Sequence, residues 1–267
     1  MNLIHAIILG IVQGFAEFLP ISSSGHLVLL QHIFGLEIEN AYLLTFDIVV
    51  HLGSLLAIML VFWPDIWALI KKPFSKMTGL LIVGTIPAVL AGVFFQDFIV
   101  NYLRSGIWLA AAFGVTGVLL LLADRLPAGT KEDKDITWFD ALFVGVAQAF
   151  ALPPGISRSG TTIAGALGRG INREAAAKFS FMLAIIVIAG AGALDAYELV
   201  LGDGAAIYAV GMGNMIVGFI ASAVVGYFSI RLLLKLIKAC RLRYFSYYVW
   251  ALAVFIMLDI LVINHFF

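Results

Sequence analysis

The chain has 267 residues, 63% of them apolar and only 12% charged, and its 16 basic and 16 acidic side chains cancel to a net charge of zero. A soluble domain carries about 25% charge, and a mean hydropathy of +1.07 leaves too little polar surface to cover a water-facing globule. A soluble enzyme, a disordered chain and a nucleic-acid binder are excluded; a polytopic membrane protein with one compact domain over 1–267 remains. The single cysteine, Cys240, excludes a disulfide framework and a thiolate metal cluster.

The first apolar region, about 3–34, lacks the small-residue cleavage site of a signal peptide and reads as mature protein. It is interrupted at Pro20-Ile21-Ser22-Ser23-Ser24-Gly25-His26. Three clean spans follow, at about 41–63, 77–96 and 105–123, each meeting the roughly 20 apolar residues that a crossing needs. The next apolar region, about 138–168, is interrupted in its turn at Pro153-Pro154-Gly155-Ile156-Ser157-Arg158-Ser159-Gly160. Three more spans are expected at about 174–196, 205–228 and 244–265. Irregular backbone at membrane depth survives only where protein or a wet cavity satisfies it. The expected fold is therefore an all-α integral membrane protein, with six transmembrane helices and two re-entrant helix hairpins whose tips meet inside the bundle.

The two breaks are also a repeat. A shift of 135 residues places Gly10 on Gly145, Gln13 on Gln148, Phe15 on Phe150 and Ala16 on Ala151. It also places Ile21 on Ile156, Ser22 on Ser157, Ser24 on Ser159 and Gly25 on Gly160, eight identities in seventeen positions. Repeats of about 1–123 and 138–267 follow from this shift. Charge sets their orientation. Segments 64–78, 125–137, 169–178 and 231–243 hold fourteen of the sixteen basic residues. The remaining loops hold Glu37, Glu39, Asp97, Asp195, Glu198 and Asp203, with Arg104 their one base. The positive-inside rule makes the basic set cytoplasmic. One hairpin and three crossings per half then turn the second half upside down, an inverted-topology repeat with a site near the midplane.

Within the first break, Glu17 lies deep in an apolar run, where a carboxylate is costly and by default functional. Gln13, four residues earlier, shares its helical face. The Ser22-Ser23-Ser24-Gly25 run opens a helix and offers free N–H groups and a dipole to an anion. His26 adds a titratable ring. The second break carries Arg158 at the position of Ser23 and Thr161 at that of His26. A guanidinium fork matches phosphate oxygens. Plainer readings compete at each place: a structural acid, a simple serine N-cap, a hydrogen-bonded core histidine, and a structural Arg158–Glu17 pair. Asp47 and His51, four apart, are positioned to line a cavity, whereas Asp124 and Asp259 are expected at the interface. No cluster has the spacing of a dedicated zinc site.

The stretches Gln13-x-x-x-Glu17-Phe-Leu-Pro20-Ile-Ser22-Ser23-Ser24-Gly25-His26 and Pro154-Gly155-x-Ser157-Arg158-Ser159-Gly160-x-Thr162 resemble the paired signatures of the bacterial undecaprenyl-diphosphate phosphatases of the bacitracin-resistance type. The resemblance covers the whole chain in length and hydropathy. The family's first signature allows Glu or Gln at position 13, so a second carboxylate is dispensable here. The resemblance implies a multi-pass hydrolase of the bacterial cytoplasmic membrane, with its site open to the extracytoplasmic face. Such an enzyme takes undecaprenyl diphosphate to the monophosphate carrier for peptidoglycan. It also implies a divalent cation, magnesium or calcium, with Glu17 as its carboxylate ligand. Arg158 and loop groups of Ser22, Ser24, Gly25, Ser157, Ser159, Gly160 and Thr162 would hold the diphosphate, with Gln13 in support. The nucleophile is Ser23, activated by His26 or Glu17, or a water activated by the same pair. A lipid flippase is the rival class, since inverted repeats with broken helices also build transporters; a channel is disfavoured by the unlike chemistry of the two loops. Membrane lipids surround the chain in any of these readings, and oligomeric state is not legible.

Overall fold

The computed structural model describes residues 1–36, 41–103, 105–201, 210–239, 241–263 and 265–267. Glu37, Glu39, Arg104, Asp203, Cys240 and the expected span start at 205–209 lie outside the described residues, as do the side chains of Asp97, Asp195, Glu198 and Lys238. Among the described residues the chain is all-helical. Its first half carries α1 (Leu3–Ala16), α2 (Ser23–Ile33), α3 (Ala41–Val61), α4 (Trp63–Lys71), α5 (Lys76–Tyr102) and α6 (Gly106–Asp124). The second carries α7 (Trp138–Ala149), α8 (Arg158–Gly168), α9 (Arg173–Leu201), α10 (Met212–Ala239) and α11 (Arg243–Leu258), which passes into a short π-helix, Asp259–Ile263.

Among the described residues six helices are long and apolar enough to cross a membrane: Leu43–Val61, Lys76–Phe95, Gly106–Asp124, Arg173–Leu194, Met212–Ile237 and Arg243–Ile263. Five match the expected spans closely. The fifth differs: its apolar stretch reaches Ile237 rather than stopping near 228, so the basic segment beginning at Arg231 is partly helix. Cations complement the negative C-terminal end of a helix dipole, and long basic side chains reach the interface from its last turns. Charge therefore marks the membrane edge here without ending the helix. The segment after α3, expected as a loop, also forms a helix. Pro64 in its first turn starts α4, whose residues are all at least partly exposed. Trp63 stacks on Trp67, and Lys71 lies over the Trp67 ring at 5.4 Å, an arrangement suited to a membrane–water boundary.

Helix α10 packs most extensively against α3 and α1, α6 against α11, and α5 against α7. Small residues make the α10 contacts close: Gly10 and Gly14 of α1 and Gly53 of α3 all lie on its backbone between Gly218 and Gly226. The main core includes Phe18, Phe62, Phe113 and Phe181. Large apolar side chains on the outer face of α5, among them Val89, Val93 and Phe94, are exposed, as expected of a surface solvated by lipid rather than water.

Three of the four basic segments meet at one end. Lys178 pairs with Asp65 (2.7 Å) and Asp133 (3.0 Å), and Lys76 donates to the Lys134 carbonyl. Lys131 and Arg169 both grip the buried carboxylate of Asp140, at 2.9 and 2.8 Å. Burial works to raise the Asp140 carboxyl, but hydrogen bonds from Lys131, Thr137 and Arg169 prevail and hold it well below the usual carboxylate range. Asp259 lies near the end of the last apolar helix, as expected; its carboxylate is fully buried and accepts the backbone N–H groups of Phe266 and Phe267 at 3.1 Å.

Candidate active site

The site begins where α1 stops. Glu17 is the C-cap of α1, and Pro20 ahead of it turns the chain out of the helix. Ser22 then takes a left-handed backbone conformation, φ 68°, rare for a residue with a Cβ. That strain is held by two bonds: Ser22 Oγ accepts from Gly25 N (3.3 Å) and from Gly155 N (3.1 Å). The second bond comes from the other broken region, so the two loops interlock. Ser159 Oγ donates to the Leu19 carbonyl across the same junction, at 3.1 Å. Gly25 is required for the approach, because a Cβ there would sit 2.8 Å from the Gly155 Cα. Thr116 of α6 ties down the second loop, donating to the Gly155 carbonyl and accepting from Ser157 N.

Four groups converge on the Glu17 carboxylate, which is 7% exposed. Arg158 donates to Oε1 at 2.5 Å. Ser23 Oγ donates to Oε2 at 2.5 Å, and the Gln13 amide donates to the same oxygen at 3.1 Å. His51 Nε2 stands 3.6 Å from Oε2. The His51 ring is fixed by its Nδ1, 2.6 Å from the Asp47 carbonyl. Arg158 is held a second time by the Ser180 carbonyl, at 3.3 Å. The fully buried Gln13 also reaches Ser54 of α3, itself 2.8 Å from Ser222 of α10.

His26 lies one turn beyond Ser23 but bonds elsewhere. Its Nδ1 is 2.7 Å from the Ser22 carbonyl, and its Nε2 is 2.8 Å from the Tyr248 hydroxyl. The other residues picked from sequence sit around this centre. Ser22 and Ser157 are N-caps of α2 and α8, so the N–H groups of Gly25 and Gly160 are taken up in capping. Ser24 is near the Ser22 hydroxyl, and Ser157 Oγ is 3.3 Å from that of Ser159. Thr162 bonds Ser180, at 2.6 Å, and the Arg158 carbonyl. The Asp47 carboxylate accepts from Gln31, at 2.8 Å.

Sequence reasoning did not find Tyr248, Thr116, Ser180, Ser54 or Ser222. Thr116, Ser54 and Ser222 are isolated polar residues on long apolar helices, and that rarity is the one local signal they offer. Tyr248 lies in a run with Ser246 and Tyr247, and Ser180 is two residues from Lys178, so neither stands out. The divalent cation suggested by resemblance has a thin donor set. No group of three His, Cys, Asp or Glu residues that could hold a metal occurs among the described residues. The available oxygens are the Glu17 carboxylate, the Ser23 hydroxyl and the Gln13 Oε1, a buried atom without a partner. These are hard donors of the type magnesium and calcium take, and they fit an ion that completes its shell with substrate phosphates.

Comparison with known proteins bears on this geometry. The family model described as "Bacitracin resistance protein BacA" matches residues 6–255. A protein of Carboxydothermus hydrogenoformans named "Undecaprenyl-diphosphatase" is 49% identical over 257 residues, covering 96% of this chain and 97% of its own. "Undecaprenyl-diphosphatase 3" of Bacillus cereus is 43% identical over 258 residues, covering 97% of each chain. An "Undecaprenyl-diphosphatase" of Alkaliphilus metalliredigens is 39% identical over 279 residues, covering 97% of this chain and 98% of its own.

Proposed function

We propose, from the premise that the chain belongs to the bacitracin resistance protein BacA family, that it is an undecaprenyl-diphosphatase of a bacterial membrane. It removes the terminal phosphate of undecaprenyl diphosphate and leaves undecaprenyl phosphate, which returns to peptidoglycan synthesis. Bacitracin resistance follows from that activity. The observation that carries the chemistry is the convergence of Ser23 and Arg158 on the two oxygens of Glu17.

In the mechanism that this geometry supports, Arg158 exchanges Glu17 for the diphosphate, whose oxygens match its planar fork. The Ser23 hydroxyl, already donating to Glu17, attacks the terminal phosphorus. Its proton passes to the Glu17 carboxylate, and the bond from that phosphorus to the bridging oxygen breaks. Undecaprenyl phosphate leaves with the bridging oxygen and its electron pair. Water then cleaves the phosphoserine and releases phosphate. Arg158 opposes the charge that develops on the phosphoryl oxygens. Glu17, Ser23 and the Gln13 carbonyl are the groups that would hold a divalent ion, which would supply further charge neutralisation when bound. His51, 3.6 Å from the Glu17 oxygen that Ser23 and Gln13 also face, helps to place the carboxylate.

Around this site we read α1–α2 and α7–α8 as re-entrant hairpins of an inverted repeat. Support comes from their lengths, 14 and 11 residues in the first pair and 12 and 11 in the second, each below the roughly 20 of a full span. The packing of α1 on α10 and of α7 on α5 also corresponds under the 135-residue shift. The gathered basic segments support a cytoplasmic assignment for their end. The site would then open to the opposite face.

The test is phosphate release from undecaprenyl diphosphate by the purified protein in detergent, with and without a chelator. Turnover that stops on chelation and returns with magnesium or calcium is expected. A protein that moves prenyl phosphates across vesicles but releases no phosphate would be a flippase, and the reading would fall.

A further inference from the structure

His26 stands beside the site, and its ring bonds neither Glu17 nor Ser23. Its ring is 7% exposed and is held on three sides. The Ser22 carbonyl lies 2.7 Å from Nδ1. Phe113 of α6 meets the ring edge-on, with centroids 5.5 Å apart. Tyr248 of α11 lies nearly parallel to it, at an interplanar angle of 11°, with its hydroxyl 2.8 Å from Nε2. A carbonyl oxygen can only accept, so Nδ1 carries a proton in both charge states of the ring. In the neutral ring Nε2 is then the lone-pair nitrogen, and the bond to Tyr248 must be donated by the phenol.

We propose that Tyr248 is a positioning residue for His26: its phenol holds the one nitrogen that can take up a proton and couples the charge state of that ring to the phosphate site. When His26 gains a proton from water, Nε2–H becomes the donor and the phenol oxygen the acceptor. The phenol proton is then free to turn toward another acceptor. Ser23 lies three residues before His26 on the same helical face, so the phosphate that the proposed mechanism brings to Ser23 would offer acceptor oxygens on the side of α2 that carries this pair. Tyr248 is the more exposed member of the pair, at 44% against 7% for His26, so this unit is reached from outside on the Tyr248 side. This arrangement also assigns the base: the lone pair of His26 is occupied by Tyr248, and the hydroxyl of Ser23 by Glu17.

Other groups on the surrounding elements do not replace this coupling. Helix α1 ends in Glu17, paired with Arg158 of α8 and faced by His51 of α3. Asp47 of α3 is bound by Gln31, from α2 itself. Helices α6 and α11 bring Phe113 and Tyr248.

The inference rests on the phosphatase reading, and its test is built to fail separately from it. Phosphate release is followed against pH for the wild type, Tyr248→Phe, His26→Ala and the double variant. Phe keeps the ring and its packing and removes only the hydroxyl. A loss of about tenfold in kcat is expected for Tyr248→Phe, the scale of one hydrogen bond to a group that becomes charged, with KM little changed. The limb of the profile that reports His26 should move to lower pH, because the bond from imidazolium to phenol is the stronger of the two that are lost. The loss should vanish in the His26→Ala background. Turnover within twofold of wild type and an unmoved profile would overturn the proposal. A wild type that releases no phosphate would instead overturn the phosphatase reading. Nitrogen-15 spectra of wild-type His26 give a readout independent of turnover and of variant folding: the neutral ring should be the Nδ1–H tautomer, and an Nε2–H tautomer would refute the assignment.

Discussion

Ser23→Ala removes one oxygen from the centre of the site and distinguishes the two candidate nucleophiles by size of effect. In the folded protein the hydroxyl donates to Glu17 Oε2 at 2.5 Å, and the carboxylate keeps Arg158 and Gln13 when it is gone. If Ser23 only positions Glu17, the loss is that of one hydrogen bond to a charged acceptor, about 1.5–3 kcal/mol. At one decade per 1.36 kcal/mol this is about 10- to 150-fold in rate. If Ser23 is the nucleophile, the variant should fall to the background left by binding and electrostatics, a loss of about 10,000-fold or more. The assay is single-turnover phosphate release from substrate labelled in the terminal phosphate, quenched in acid. The serine route predicts the larger loss, and a labelled phosphoserine at Ser23 in a variant with slowed hydrolysis of the intermediate. A loss near tenfold with no phosphoenzyme would refute the serine route and pass the attack to water, with Glu17 as its base.

Glu17→Gln should nearly abolish turnover while the protein still inserts. Because it frees Arg158 from its partner, substrate affinity should hold or tighten, measured by binding of undecaprenyl diphosphate under non-turnover conditions; normal kcat would demote Glu17 to a structural role. Gln13→Ala should be far milder, about tenfold or less, since it removes one 3.1 Å bond to Glu17 and no charge; equal losses in side-by-side kinetics would contradict that division of labour. A reporter active only in the cytoplasm, fused after Phe267, should stay silent if both termini are extracytoplasmic. Asp140→Asn should lower thermal stability in detergent by about 1–3 kcal/mol, a buried-pair loss reduced because Lys131 and Arg169 are each about one-third exposed. The folded-state carboxyl of Asp140 lies below its ordinary value of about 3.9, so its contribution is complete above that pH and is lost as pH falls through the depressed value. An unfolding curve in acid that is the same for wild type and variant would contradict this.

The spans were legible because a membrane leaves a strong one-dimensional record: apolar length between charges. The same rule misplaced the end of the fifth span, since Arg231 and Lys235 lie on the final turns of α10 and not beyond it. It also hid α4, whose tryptophans and Lys71 belong to a boundary helix and not to a loop. At the site, the convergence of Glu17, Ser23 and Arg158 was approachable because all three fall in the two broken regions. The direction of His26 was not. Spacing puts it beside Ser23, but its ring nitrogens are claimed by a backbone carbonyl and by Tyr248, 222 positions away. The left-handed turn at Ser22 left no trace either, because serine has no special preference for it and the compensating bond comes from Gly155.

The 135-residue correspondence gives the site its logic. Ser23 and Arg158 occupy matching positions, each the first residue of its helix after a serine N-cap. In the structure they reach the two oxygens of a single carboxylate. The position matching Glu17 is Leu152, so only one of the two loops brings an acid. Two identical loops would place like groups face to face: two copies of the first would bring two acids with no cation, and two copies of the second would bring two arginines with no acid. Divergence at three places, Glu17 against Leu152, Ser23 against Arg158 and His26 against Thr161, turns a near-symmetric junction into one with an acid and a hydroxyl on one side and a cation on the other. A diphosphate needs that polarity, a cation for its oxygens and a base-assisted hydroxyl for its terminal phosphorus. Each partner of the Glu17–Arg158 pair neutralises the other within the bundle. In the mechanism proposed above, a substrate phosphate would take the place of the carboxylate at Arg158 and leave Glu17 free to receive the proton of Ser23.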